Sequence, residues 1–278
     1  MTKRSIIVIQ AIIMILICTS CVGKLKHDKF DYYYEYNVFS KEYARNEWKV
    51  VDNKLLYFGQ NEYIASESEL PYGFYYDENK DVKRKDFEII TFGKYEQDND
   101  IENGSEDIEW IIIDENETTY KLLSRYVLDK KLFHDCADLK MEVTWEESSL
   151  RKFLNEDFIN IAFGDDEKKR IVEVFNINEN DTRYGIAMDN ATIDKCYLLN
   201  YVESNRYLPI PEYRICKATD YAKSSGVYTD KTGRCNYYLR SISNLNWNVA
   251  GINLYGEYVS LNNTSGADGI RPVINIKK

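Results

Sequence analysis

Residues 6–17 form an apolar run of twelve, interrupted only by Gln10 and placed directly behind Lys3 and Arg4. No other stretch constrains the chain as strongly. A helix that crosses the hydrocarbon core of a bilayer needs roughly 20 apolar residues, and this run stops well short of that. A basic start, a short apolar stretch and then small residues is the order of an export signal, not of a membrane domain. The fold must therefore be built from the residues C-terminal to this run, and it is expected to work outside the cytoplasm.

Cys18-Thr19-Ser20-Cys21 closes the run. Small residues before Cys21 resemble the processing site of bacterial lipoproteins, whose cysteine becomes the first residue of the mature chain and carries the lipid. Cys18 fits that pattern less well, because bulky Ile17 stands where the peptidase requires a small residue. The expectation is a signal peptide over residues 1–20, lipidation of Cys21, and a protein held by its lipid at the outer face of the bacterial membrane. Loss of Lys3 and Arg4 with the signal moves the formal charge from −10 to −12. Such a surface does not suit nucleic acid, whose partners must neutralise phosphates. Anionic headgroups would repel it too, so the lipid is the expected link to the membrane. With 44% hydrophobic residues and 14% aromatics, the chain has enough apolar surface for a substantial core.

Two regions come after the signal. Residues 21–86 read as a tether and tyrosine-rich extension, in which 31–36 run Asp-Tyr-Tyr-Tyr-Glu-Tyr. Short strands are expected at 55–58 and 73–76, with charged loops at 67–71 and 77–86. From residue 87 to 278 the pattern is that of an α+β domain with central helices and a strand-rich C-terminal third. Residues 88–95 read as a strand broken by Gly93. Residues 108–114 and 119–125 read as strands paired around Glu115-Asn116, with Trp110-Ile111-Ile112-Ile113 at their centre. Thr144 and Glu147 have the spacing of a capping box, so a helix is expected to start there. Leu150, Phe153, Leu154, Phe158 and Ile161 would form its core face. Gly164 is a natural stop, and Asp165-Asp166-Glu167 would open a second helix with acids at its positive end. A strand at 196–200, a short helix at 219–224 ended by Gly226, and strands at 237–241, 249–255, 258–261 and 273–276 complete the reading.

Residue chemistry argues against a recognisable catalytic centre. After Cys21 the cysteines are Cys136, Cys196, Cys216 and Cys235, which can pair in three ways. No C-x-x-C occurs, and His27 and His134 are the only histidines, so a zinc site is not expected. His134 activating Cys136 is conceivable on a strand, yet such pairs are normally assembled across a fold. Asp98-Asn99-Asp100 and Asp165-Asp166-Glu167 offer oxygens for calcium but lack EF-hand spacing. No cofactor or metal is expected. Arg240 and Arg271 sit at strand edges beside turns, where a guanidinium can clamp a ligand carboxylate or bond Asp268 and main-chain oxygens. Trp247, between Asn246 and Asn248, is the best aromatic candidate for stacking on a sugar or peptide.

The order of motifs resembles a bacterial family known as domain of unknown function 6273. The matching pieces are Thr91-Phe92-Gly93-Lys94-Tyr95, Ile108-Glu109-Trp110-Ile111, Val143-Thr144-Trp145-Glu146 and Leu150-Arg151-Lys152-Phe153-Leu154-Asn155. Lys217-Ala218-Thr219, Tyr238-Leu239-Arg240-Ser241 and Gly269-Ile270-Arg271-Pro272 continue the order. Asn236-Tyr237-Tyr238 stand where that family typically has tryptophans, and Ile242 where it commonly has proline. The closing pattern also looks like the end of C-type-lectin-like folds, among them formylglycine-generating enzymes and phage-type variable receptor proteins. That resemblance implies a loop-rich domain whose late loops bind, with Trp247, Arg240, Arg271 and Asp268 as candidate ligand contacts. The expected function is a non-catalytic surface module for a glycan or protein. The alternative is an envelope enzyme related to formylglycine-generating enzymes, with cysteine or carboxylate chemistry and Cys136, Cys216 or Cys235 reactive. Cys216 and Cys235, flanking the late helix, are expected as a structural disulfide or as two buried thiols.

Overall fold

The computed structural model describes residues 23–37, 41–135, 143–178, 186, 189–243, 248–262, 266 and 268–278. The chain divides into two compact units, Met1–Lys85 and Asp86–Lys278. In the first, β1 (Lys24–His27), β2 (Tyr32–Asn37) and β3 (Glu42–Tyr43) form an antiparallel sheet. Two hairpins come next, β4 (Glu47–Val51) with β5 (Lys54–Phe58) and β6 (Phe74–Tyr76) with β7 (Val82–Arg84). Asp52 and Asn53, both at positive φ, make the two-residue turn of the first hairpin, whose twist matches that of its strands. Ring packing holds this unit together. Tyr33 meets Tyr43 edge-on at 5.5 Å, and Trp48 lies 4.7 Å from both Tyr57 and Phe74. The tyrosine-rich stretch is strand.

The second unit opens with an antiparallel meander, β8 (Ile89–Tyr95), β9 (Glu106–Glu115) and β10 (Thr119–Ser124). Then come β11 (Asp129–Lys130), the helical region, and β12 (Ile171–Val172), β13 (Val174–Asn176), β14 (Thr192–Asp194) and β15 (Cys196–Tyr197). The last third carries β16 (Tyr237–Ile242), β17 (Asn248–Ile252), β18 (Tyr258–Asn262), β19 (Gly269–Ile270) and β20 (Val273–Lys277). One sheet runs β12-β20-β10-β9-β8, with β15 succeeding β12 along the same edge of β20; the other runs β11-β19-β16-β17-β18. The C-terminal strand therefore pairs with β10, far earlier in the chain. β9 is an inner strand, and Trp110, Ile111, Ile112 and Ile113 are all buried, so both of its faces are covered, which a continuous apolar run suits.

Gly93 does not end β8. It sits at φ +72° where the pairing with β9 shifts register between Thr91 and Lys94, the geometry of a bulge. A Cβ there would lie 2.5 Å from the Phe163 ring and 2.6 Å from the Ala162 carbonyl oxygen. Across the bulge, Trp110 Nε1 donates to the Phe92 carbonyl at 2.7 Å.

The central helix departs from expectation in two ways. Thr144 and Glu147 do bond, the Glu147 amide and carboxylate both reaching Thr144 Oγ1, but they close a turn ahead of the helix. Ser148 is the true cap and accepts from the Arg151 amide at 3.1 Å. The helix runs as α over Ser149–Phe153 (α1), widens to a π turn over Leu154–Phe158, and returns to α over Ile159–Ala162 (α2). A π turn inserts an extra residue, so every later side chain is rotated about the axis. Leu150, Leu154 and Phe158 are buried as expected; beyond the turn Ile159 and Ala162 face inward, and Ile161 is 62% exposed. The stop at Gly164 holds, and α3 (Asp165–Arg170) comes next, with Glu167 accepting from the Gly164 amide at 2.8 Å.

Three short helices remain, α4 (Tyr201–Tyr207), α5 (Pro211–Arg214) and α6 (Asp220–Ser224). The sequence places the start of the last at residue 219, but Thr219 is its cap and accepts from the Ala222 amide at 3.1 Å. α4 is absent from the sequence expectation although its signal is present. Asn200 and Glu203 form a reciprocal capping box, with Asn200 Oδ1 accepting from the Glu203 amide and Glu203 Oε2 from the Asn200 amide.

Candidate functional site

The sequence candidates separate into three groups. Cys21, Cys136 and Trp247 lie outside the described residues. Arg240, Arg271 and Asp268 lie in the interior. Arg271 donates to the Ser124 carbonyl at 3.0 Å and to Tyr237 Oη at 3.2 Å, tying the chain end to β10. Asp268 accepts from Asn236 Nδ2 at 3.0 Å, and burial raises its carboxyl above the usual range. The expected tie of an arginine to Asp268 is not among the described bonds; the guanidiniums reach main-chain oxygens of earlier elements instead. Cys216 and Cys235 are both buried, with no bond drawn between their sulfurs. Burial raises the thiols of Cys196, Cys216 and Cys235, which keeps them protonated at neutral pH and poor as nucleophiles.

The other polar candidates serve the backbone or pair with surface lysines. His134 Nδ1 accepts from the Ser149 amide at 3.3 Å at the start of α1. Asp98 accepts from Asn103 Nδ2 and the Asp100 amide, closing its own turn. Glu96, Asp98 and Glu106 bring one carboxylate oxygen each within 4.8 Å of one another; Glu106 Oε2 is engaged by the amides of Gln97 and Asp98. Asp165 and Asp166 are solvated and paired with Lys168 and Lys169. An open depression of about 540 Å³ lies between Gly93 and α2, where Glu167 is already taken by the amides of Gly93 and Gly164.

One face has a different character. β13 and β14 leave the edge of β20 as a two-stranded ribbon, between the points where β12 and β15 join that edge. Successive side chains of a strand point to opposite faces. Here the buried members of the inward set are polar, Asn176, Thr192 and Asp194, with Val174 half-buried beside them. Asp194 accepts from Arg151 Nε at 2.6 Å, Thr192 Oγ1 at 2.6 Å, Asn176 Nδ2 at 2.9 Å and Trp145 Nε1 at 3.2 Å. The outward set is apolar. Phe175 stands directly opposite Ile193, and Ile177 lies two residues further on; they are 64%, 60% and 54% exposed for Phe175, Ile193 and Ile177 respectively. The ribbon is inside out.

Beside it lies a groove of about 280 Å³ that contains Phe175, Ile177, Val202, Lys121, Glu203 and Arg240. Its floor is charged. Arg240 donates to Asn178 Oδ1 at 2.9 Å, to the Leu198 carbonyl at 2.6 Å and to Glu203, and Lys121 Nζ reaches Glu203 from the other side at 3.3 Å. Burial alone would raise the Glu203 carboxyl, but Arg240 and then Lys121 hold it down to about 2. The groove thus pairs an apolar rim with a fixed charge network. Of the sequence candidates, Arg240 is the one the structure brings here; Phe175, Ile177 and Ile193 were not among them. Their signal is the alternation Phe175-Asn176-Ile177-Asn178.

The chain is thus a strand-rich α+β protein in which Arg240, Arg271 and the described cysteines are interior, and in which Phe175, Ile177 and Ile193 form an exposed apolar group on one ribbon. It belongs to the family described as domain of unknown function DUF6273, whose model matches residues 117–278. The match takes in β10 to β20 and the whole groove, while β8 and β9, which complete the first sheet, precede it. No curated protein and no solved structure matches the chain.

Proposed function

We propose that this is a lipid-anchored protein of the bacterial envelope whose Asp86–Lys278 unit is a non-catalytic binding module for a glycan or protein. The observation that supports binding is the inverted ribbon. Exposing Phe175, Ile177 and Ile193 while burying Asn176, Thr192 and Asp194 forgoes on the order of 1–2 kcal/mol for each of these more than half-exposed apolar side chains. Contiguous exposed apolar groups beside polar ones mark interaction surfaces more often than scattered single residues do. In the C-type-lectin-like reading, the connections from β16 to β17 and from β18 to β19 carry further contacts, Trp247 among them. The anchor is Cys21, with the export signal before it.

The test is binding of the mature chain to isolated envelope polysaccharide and, separately, crosslinking to proteins in intact cells. Replacing Phe175 and Ile193 together by serine should weaken capture at least tenfold and leave the melting temperature within about 2 °C, as solvated positions do. Unchanged capture would remove the ribbon from the binding face. Cys21→Ala should abolish lipid labelling and free the protein from membranes; persistent labelling would overturn the anchor.

A further inference from the structure

Cys216 and Cys235 flank an isolated antiparallel bridge, and Cys235 is bridged on its other side to Thr229. The bridge between Lys217 and Arg234 sets the register. On one side of it the Cys235 amide donates to the Cys216 carbonyl at 3.1 Å, and on the other the Ala218 amide donates to the Gly233 carbonyl at 3.0 Å. Residues directly opposed in an antiparallel ladder have Cα atoms about 5.5 Å apart and side chains on one face. A disulfide spans Cα separations of roughly 4.4–6.8 Å. Cys235 Sγ lies 3.8 Å from the Cys216 carbonyl oxygen, and Arg271 acts electrostatically on both sulfurs. Cys196 sits on β15, which pairs with β20.

We propose that Cys216 and Cys235 are a disulfide-forming pair, which staples residues 217–234, α6 included, to the strand entering β16. Both thiols are buried in the folded protein, so exchange belongs to a stage before this loop closes. One cysteine loses its proton, and its thiolate attacks the disulfide of an oxidised dithiol, either glutathione disulfide or an exported exchange protein. A mixed disulfide forms and one thiol of the oxidant leaves. The second cysteine, likewise deprotonated, then attacks the mixed disulfide; the Cys216–Cys235 bond forms and the other half of the oxidant leaves as a thiol. Two cysteines are oxidised and one oxidant disulfide is reduced. The pairing rests on geometry; only its occurrence in cells rests on the proposed export.

The mature chain is unfolded under reducing conditions, refolded in a glutathione redox buffer, alkylated and digested with trypsin. The expected product is a peptide of residues 215–217 linked to one of 235–240, two hydrogens lighter than the free pair. The oxidised protein should melt about 5 °C above the reduced one, and Cys216→Ser should lose both the linked peptide and the dependence on reductant. The wild-type melt with and without reductant keeps the test sound if that variant folds poorly. Natively folded protein with both residues alkylated, or linked instead to Cys136 or Cys196, overturns the pairing. Alkylation trapping in intact cells is the separate arm: a bond that forms in vitro and is missing in cells counts against export, not against the geometry.

Discussion

Replacing Glu203 by glutamine removes one charge from the centre of the groove floor and keeps nearly the same shape. The carboxylate lies between Arg240 and Lys121, and its Oε2 accepts from the Asn200 amide at 3.0 Å, a bond an amide oxygen can still make. An ordinary glutamate titrates near 4.5, and this one is held at about 2. At 1.36 kcal/mol for each tenfold change in proton affinity, that difference is worth about 3 kcal/mol at neutral pH. Because the folded value lies below the unfolded one, the stabilisation is present in full above pH 4.5 and is lost as pH falls toward 2. Glutamine imitates the protonated acid, so the gap between wild type and Glu203→Gln should be about 3 kcal/mol at pH 7 and close progressively between pH 4.5 and 2. For a unit of this size, the neutral gap corresponds to a fall in melting temperature of about 6–12 °C. Urea denaturation of both proteins at pH 7, 4.5, 3 and 2 measures it. A gap below about 0.5 kcal/mol at pH 7, or one that stays constant on acidification, would refute the assignment of Glu203 as the charge that Arg240 and Lys121 compensate.

Gly93→Ala should destabilise by about 2–4 kcal/mol in thermal or chemical melts, since φ +72° disfavours a side chain and the new methyl meets Phe163 and the Ala162 carbonyl. Asp194→Ala should cost about 3–5 kcal/mol by urea denaturation, because it strands Arg151 and the buried donors of Trp145, Asn176 and Thr192; Asp194→Asn should fall between that variant and wild type.

Local chemistry made part of the fold legible without any structure. The run Trp110-Ile111-Ile112-Ile113 announces the centre of a paired strand, and β9 pairs with β10 as the turn at Glu115-Asn116 implies. A short helix is legible near 219–224 and a break at Gly164, because both signals act on hydrogen bonds within a few residues; that Thr219 is the cap and not the first turn comes from the structure. What escaped depends on distant partners. Helical spacing counted Ile161 into the core, but the π turn over Leu154–Phe158 rotates it to solvent, and nothing in residues 150–161 alone sets that widening. Arg240 and Arg271 were recognisable as clamps, yet what they hold is Leu198, Asn178, Glu203 and Ser124, from elements the motif does not contain.

The ribbon shows the division most clearly. Alternation in Phe175-Asn176-Ile177 and Thr192-Ile193-Asp194 determines that each strand has one polar and one apolar face. Which of them turns inward is decided elsewhere, by Trp145, Arg151 and Asn155, whose donors converge on Asp194 and make a buried carboxylate tolerable. A strand's period is a property of its own backbone, so sequence alone determines it. The side that can be buried depends on whether other parts of the chain can satisfy it, and only the tertiary structure supplies those partners.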